Sequence, residues 1–332
     1  MTARIGVVGP NGLDDFASNI ADGLIELGQN VELLGPVVRA PGPRRLKAVA
    51  SALANDARRT PTFGRRVEHH VVAAALEREL DLVITVESLR PDTVEALRDR
   101  GVRCALWFPD AVSNLGTMWM FAAPYSIVAF KEPVLVERVQ RLLEMPIMYL
   151  AEACNPRIHR VPSLVGDRVR EIAVVGNFYP TRVSLLQRLV SDGYPLRLYG
   201  APLPAPASRS SLSALHTGRY VRGIEKATVF RSAAAVLNNL HPAEIEGINC
   251  RVFEATACGA AVVCEHRQAL ASHFSVGEEV LAFTDYRELT TELDKLLASH
   301  ELSTKIGDAA AMRSKSDHTY AQRLTKLLER AM

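Results

Sequence analysis

Residues 4 to 9, Arg-Ile-Gly-Val-Val-Gly, form a short apolar run that ends in Gly9-Pro-Asn-Gly12, and Phe16, Ile20, Leu24 and Leu27 follow at helical spacing up to a stop at Gly28. Val31 to Leu34 then supply a second apolar run. Strand, turn, helix, strand is the βαβ unit, and successive parallel strands joined this way require a sheet covered by helices. The same alternation continues through Leu82 to Val86, Cys104 to Phe108 and Ser126 to Phe130, with helical patterns such as Thr93 to Arg100 between them. A doubly wound α/β domain is therefore expected from the first half of the chain.

The alternation breaks between Pro146 and Pro162, a stretch that also holds Asn155, Pro156 and Arg157 and reads as a linker. It then restarts: Ile172 to Gly176 as a strand, Ser184 to Asp192 as a helix ending near Gly193, and Leu196 to Tyr199 as the next strand. Ala234 to Leu240, Ala261 to Glu265 and Val280 to Phe283 continue the strands, and Glu288 to Ala298 and Thr319 to Ala331 are amphipathic helices. Prolines at 202, 204 and 206 mark Ala201 to Ser213 as a surface excursion. The length of 332 residues suits two domains. The expected organisation is residues 1–155 as one Rossmann-like domain and 156–332 as a second, with the terminal helix able to pack back on the first.

Several classes are excluded at this level. A net charge of +2 gives no footprint for nucleic acid. No apolar stretch approaches the ~20 residues a transmembrane helix needs, and Met1 runs into the first strand without a signal-peptide pattern, so a cytoplasmic protein is expected. The cysteines, Cys104, Cys154, Cys250, Cys258 and Cys264, lack the close pairing of structural zinc sites and read as reduced thiols. Local charge is conspicuous only between Arg39 and Arg66, where Arg44, Arg45, Lys47, Arg58, Arg59 and Arg65 face one acid, Asp56. Leu46, Val49, Ala50, Leu53, Ala54 and Ala57 share one helical face there, so the segment reads as a solvated helix first and as a peripheral contact with the inner membrane surface, or with an acidic acceptor, second.

The chemistry is concentrated in His241-Pro-Ala-Glu-Ile-Glu246-Gly247-Ile248-Asn249-Cys250-Arg251-Val-Phe-Glu254-Ala-Thr-Ala-Cys-Gly259, ahead of the strand that begins at Ala261. Arg251 to Cys258 reads as a short helix stopped by Gly259, with Glu246 on its approach and Glu254 within it. A carboxylate accepts two hydrogen bonds at a spacing suited to vicinal hydroxyls, and the amides of Gly247 to Cys250 open toward a helix N-terminus, where phosphate is favoured. Such a segment serves a sugar and a pyrophosphate together.

The Glu-x7-Glu spacing of Glu246 and Glu254, with Gly247, Ala255, Ala257 and Gly259, resembles that of the retaining group-1 glycosyltransferases of the GT-B fold, in which two Rossmann-like domains face each other across a cleft. Asn249-x-Arg251-x-Phe-Glu254-Ala-x-Ala-Cys-Gly259, with Tyr179-Pro-Thr-Arg182 upstream, is most similar to the CgeB-like spore-maturation branch. The resemblance implies that Glu254 holds the ribose hydroxyls of a nucleotide-diphosphate sugar and that Glu246 contacts the transferred sugar. It also implies retention without a protein nucleophile, and no metal or other cofactor; no Asp-x-Asp is present in either half.

In Val174-Val-Gly176-Asn177-Phe-Tyr179-Pro-Thr-Arg182 the family places a Gly-Arg pair and, six residues past the glycine, a lysine, both aimed at the diphosphate. Arg182 occupies the lysine position, and Asn177 stands where the arginine is expected, so one cation is missing there. Fixed donors aimed at the β-phosphate stabilise the leaving group, and Arg182 with the amides of Ile248 to Arg251 are the candidates. An arginine at a helix start gains nothing from the dipole, which favours an anionic partner. Tyr220, in Tyr220-Val-Arg-Gly223, lies where related proteins approach the base, and His241 reads either as a donor contact or as closing a strand end.

In the first half, Gly9, Asn11, Gly12, Asp14 and Asn19 line the first turn and are acceptor-side candidates; the spacing is not that of a dinucleotide fingerprint. Asp110, after Trp107-Phe-Pro, reads either as the base toward an acceptor hydroxyl or as a helix cap behind two core aromatics. The expected partners are a nucleotide sugar and a glycan, lipid-linked or small-molecule acceptor. A nucleotide-sugar epimerase, and an inactive carbohydrate-binding or assembly protein, are the alternative readings.

Overall fold

The computed structural model describes residues 2–38, 53–54, 56–111, 113, 119–163, 166–205 and 207–332. Two compact units result: Met1–Leu150 with Tyr320–Met332, and Ala151–Thr319. Ala151 to Asn155 thus fall in the second unit, and the last helix falls in the first.

The first unit is a six-stranded sheet built from β1 (Arg4–Val8), β2 (Asn30–Gly35), β3 (Leu82–Thr85), β4 (Arg103–Phe108), β5 (Ile127–Phe130) and β6 (Ile147–Tyr149), in the order β2-β1-β3-β4-β5-β6. Every pairing is parallel, so helices must cross over the sheet: α1 (Phe16–Glu26), α2 (Pro61–Glu77), α3 (Pro91–Arg98), α4 (Trp119–Ala122) and α5 (Pro133–Leu142). In α2, α3 and α5 a proline occupies the first turn, where its missing N–H costs nothing. The described helices begin with α1, which buries Ala17, Ile20 and Leu24 and is followed by Gly28 at φ +73°.

The final helix of the chain closes this unit. A Cβ at Gly23 of α1 would lie 2.8 Å from Leu324 Cδ1 and 2.9 Å from Tyr320 Cβ, so the two helices meet where only glycine fits. Tyr320 also packs on Trp107 and Phe16, with ring centroids 5.8 and 5.6 Å away. β6 lies within the stretch read as a linker: it is only three residues long, too short to show a period, and pairs with β5 at the sheet edge.

The basic segment falls partly outside the described residues, which omit 39–52 and 55. Of the remainder, Arg58 is buried against Glu68 at 2.6 Å, Arg65 reaches Asp92 at 2.8 Å and Arg59 reaches Asp56 at 3.4 Å. Glu68 and Asp92 lie beyond the segment itself, so two of its described arginines are paired by other parts of the fold. No described helix is long and apolar enough to cross a membrane.

The second unit repeats the plan with β7 (Val169–Gly176), β8 (Leu196–Gly200), β9 (Ala233–Asn238), β10 (Val262–Glu265) and β11 (Leu281–Phe283), ordered β11-β10-β9-β7-β8 and again all parallel. Its α-helices are α6 (Pro180–Ser191), α7 (Leu212–Leu215), α8 (Gly223–Ser232), α9 (Cys250–Ala257), α10 (Gln268–His273), α11 (Tyr286–Ala298) and α12 (His300–Asp317); α13 (Tyr320–Ala331) is the helix already placed in the first unit. The proline-rich excursion holds a 3-10 turn, Ala207–Arg209, and α7. α12 buries Ser303, Ile306, Gly307, Ala310 and Ser314. A Cβ at Gly307 would overlap the carbonyl oxygen of Gly259, and Ser314 Oγ donates to Thr256 Oγ1 at 2.7 Å. That face is small rather than greasy, so it carries no apolar period.

In each unit the strand order reverses beside the first strand, between β1 and β3 and between β7 and β9. In open parallel sheets this is where the loops diverge and leave a crevice at the carboxyl ends.

Candidate functional site

β7 ends at Gly176, whose φ is +121°. A Cβ there would overlap Arg251 Nη1 and sit 3.0 Å from its Cζ, so the arginine from α9 lies flat across the strand end. Arg251 Nη1 also donates a long 3.4 Å bond to Val175 O, and its buried Nε has no partner. Gly200, at the end of β8, lacks a side chain for a related reason: a Cβ would overlap Gly176 O.

Asn177 is exposed and Tyr179 half-buried at the cap of α6, but Arg182 is fully buried. Its Nε donates to Asn239 Oδ1 at 2.8 Å, Nη2 to Asn239 O at 3.0 Å and Nη1 to Asn177 O at 3.0 Å. Its guanidinium stands 5.2 Å from the Tyr179 ring. Tyr179 in turn donates to Asn239 O at 2.9 Å. Burial, with the like charge of Arg251, lowers Arg182 to about 10. Arg182 was expected to offer its guanidinium to phosphate; in the structure its donors go to Asn177 and Asn239 instead. A first-turn side chain on the inner face of α6 points at the end of β9, where it clamps the loop after β7 to Asn239.

α9 explains the open amides. Its cap residue, Asn249, makes no capping bond, because its side chain exchanges amide hydrogen bonds of 3.2 and 3.4 Å with Asn238. The first-turn N–H groups are therefore left without a side-chain acceptor. Gly247 and Ile248 are buried on the approach, Cys250 is half-buried, and Gly259 at φ +75° ends the helix.

The two glutamates have separate surroundings. Glu254 is 5% exposed; its Oε2 lies 3.0 Å from Lys226 Nζ and its Oε1 3.9 Å from His159 Nε2. Glu246 is half-buried and its Oε2 accepts from Gln268 N at 2.9 Å, at the start of α10. Lys226 was not among the sequence candidates, yet a signal existed: Gly223, Lys226, Ala227 and Phe230 form the buried stripe of α8, and a lysine there needs an anion. His159, in the proline-interrupted turn, carried no such signal.

Tyr220 is 50% exposed and is covered on one face by Arg222, 5.1 Å from the ring centroid. Its segment is tied to β8 by Gly200 N donating to Arg219 O at 2.9 Å. His241 accepts from Ala243 N at 3.1 Å through Nδ1 and packs its ring 4.7 Å from Tyr179, so it closes its own turn beside the site.

A family model described as glycosyl transferase-like matches residues 182–329, a span that contains Lys226, Glu246, Arg251 and Glu254. Among solved structures, the chain is similar to sucrose-phosphate synthase from Thermosynechococcus elongatus, with TM-score 0.67 and 14% identity over 99% of this chain and 98% of that one. A glycosyltransferase from Rickettsia africae gives TM-score 0.67 and 11% identity over 99% and 97%. A UDP-forming α,α-trehalose-phosphate synthase from Burkholderia xenovorans gives 0.60 and 12% over 99% of both chains. The fold is GT-B. At these identities the likeness is one of architecture. No curated protein sequence matches the chain.

The first unit of this GT-B chain holds the remaining candidates. Gly9, at φ +154°, would bring a Cβ into overlap with Val86 Cγ2 and within 3.0 Å of Ala17 Cβ. Asn11 is exposed, Gly12 N donates to Asp15 Oδ2 at 2.8 Å, and Asp14 is half-buried at φ +66°. Asn19 is buried within α1 at 2% exposure, which removes it from the accessible turn. Asp110 is exposed beyond β4, and Trp107 and Phe108 are core. Glu87, at the end of β3, escaped the sequence reading: it is half-buried, accepts from Val37 N at 2.8 Å, and is raised above the usual carboxylate range by burial.

Proposed function

We propose that the chain is a glycosyltransferase that takes a nucleotide-diphosphate sugar at the carboxyl ends of β7 and β9 and passes the sugar to an acceptor. The observation that carries this reading is the uncapped N-terminus of α9 opening beside a cationic strand end at the point where the sheet order reverses. Helix N-termini and fixed donors stabilise the charge that develops on a departing β-phosphate. The glycosyl transferase-like match over the same residues, and the UDP-forming description of one protein of like fold, support a nucleoside diphosphate as the leaving group.

In this reading Glu254, paired with Lys226, faces the ribose hydroxyls, Glu246 lies toward the sugar, and Tyr220 and His241 flank the donor. Gly9 to Asp14 line the acceptor side, with Asp110 taking the acceptor proton. Retention of configuration and transfer without a metal complete the proposal, on the resemblance of the Glu-x7-Glu segment.

Thermal shift with UDP, GDP, ADP and dTDP and their sugars tests it first, since a ligand at 100 times its Kd adds about 2.7 kcal/mol of apparent stability. The reading fails if none of them raises the melting temperature. Product analysis then separates the alternatives: transfer releases nucleoside diphosphate only with an acceptor, an epimerase interconverts nucleotide sugars alone, and a binding protein turns over neither.

A further inference from the structure

Two guanidiniums meet at the end of β7, and among the described residues no carboxylate lies within ion-pair distance of either. Arg182 is fully buried, and its hydrogen bonds to Asn177 O, Asn239 O and Asn239 Oδ1 all go to uncharged acceptors. Arg251 has its long bond to Val175 O and a buried, unpartnered Nε. Among the described residues neither arginine forms an ion pair. Two glutamates near this end of the sheet pair with other cations, Glu254 with Lys226 at 3.0 Å and Glu265 with Arg267 at 2.9 Å.

Hydrogen bonds to neutral oxygens satisfy a guanidinium's donors without cancelling its charge, and a desolvated charge without a counter-ion is costly. The repulsion is visible in the depressed pKa of Arg182, to which Arg251 contributes after burial. This end of the unit is therefore short of an anion. The missing cation of the sequence, the arginine whose place Asn177 takes, has a substitute in space.

We infer that the side chain of Arg251 is the cation that binds the diphosphate, reaching over Gly176 from the first turn of α9 to the place that residue 177 does not fill. Its planar fork suits two phosphate oxygens at once, and it sits on the same helix terminus as the uncapped amides. Gly176 makes the position available, because any side chain there would overlap the guanidinium. Arg182 stands behind it, touching no ligand, and adds positive potential while holding Asn177 and Asn239. This inference rests on the donor reading above and names which residue carries it out.

The test is calorimetric titration of the parent, Arg251→Gln and Arg251→Lys with UDP, GDP, ADP and dTDP and with the corresponding nucleosides. For the diphosphate the parent prefers, Arg251→Gln is expected to weaken binding about 10- to 100-fold, the scale of losing charge-assisted hydrogen bonds. The nucleoside should change by less than about threefold, and Arg251→Lys, which keeps the charge but loses the fork, should fall between. Unchanged diphosphate affinity in Arg251→Gln overturns the inference while leaving the donor reading standing. An equal loss on nucleoside and diphosphate overturns it as well, since the residue would then act through the fold. A parent that binds no nucleoside diphosphate removes the donor reading and the inference together. If Arg251→Gln does not fold, the Lys variant decides: diphosphate affinity equal to the parent's would show that the fork does not grip two oxygens.

Discussion

Gly9 and Gly176 end the first strands of two sheets with the same reversal of strand order, and both hold positive φ. What lies above them differs. Over Gly9 the nearest atoms are methyls of Val86 and Ala17, whereas over Gly176 they belong to the guanidinium of Arg251. The strand order gives both glycines the same address in their sheets, and the side chains delivered to that address differ. Methyl groups stand against the one strand end and a guanidinium against the other.

Substitutions can break or sharpen that contrast. The largest effect is expected from Lys226→Met, which strands Glu254, 5% exposed, without its cation. Removing one partner of a buried pair costs about 3–5 kcal/mol, to be read from urea unfolding, and adding Glu254→Gln should restore part of it. Gly9→Ala comes next: overpacking against Val86 and Ala17 should cost about 1–3 kcal/mol with no change in nucleoside diphosphate affinity. A binding loss in that variant would mean the two strand ends are not distinct in kind.

Gly176→Ala should cost less stability, about 1 kcal/mol of backbone strain, because the atom in its way is the far end of a flexible side chain. Its main consequence is expected in binding, with diphosphate affinity falling as the guanidinium is pushed aside. Parent-like affinity in this variant would argue that Arg251 does not need its place over the strand end. The smallest effect is expected from Glu87→Gln in the first unit. Burial raises the Glu87 pKa, so the folded chain holds that proton more tightly than the unfolded chain. The associated stability is complete below the ordinary value of 4.5 and is lost as pH rises through the raised one. The amide should therefore raise the melting temperature at pH 7 but not at pH 4, and a uniform shift at both would remove the titration from the explanation.

Much of the layout was legible along the chain, because strands buried on both faces read as short apolar runs and their crossover helices carry an apolar period. β1, α1 and β2 were read this way, and so was α9 with its stop at Gly259. β6 was not, since three residues at a sheet edge cannot show a period. α12 was missed for another reason: its buried face is Ser303, Gly307, Ala310 and Ser314 with one isoleucine, chosen by close approach to the Gly259 backbone rather than by hydrophobicity. In the site, the spacing of Glu246 and Glu254 was plain, but their separate partners, Gln268 N and Lys226, are distant in sequence and had no local mark beyond a lysine in an apolar stripe.

By itself the order of residues determined the α/β class, the repetition of one winding rule in two halves, and the segment that brings Glu246, Arg251 and Glu254 close along the chain. These depend on local periodicity and on glycines at strand and helix ends, which act over a few residues. Only the tertiary structure decided that Arg182 turns inward while Arg251 takes the strand end, that Lys226 belongs to Glu254, and that the last helix returns to Trp107 in the first unit. The reason is physical: a side chain's role depends on whether it faces solvent, a counter-charge or another backbone. Those neighbours are brought together by the packing of whole sheets and helices, over separations that no local pattern spans.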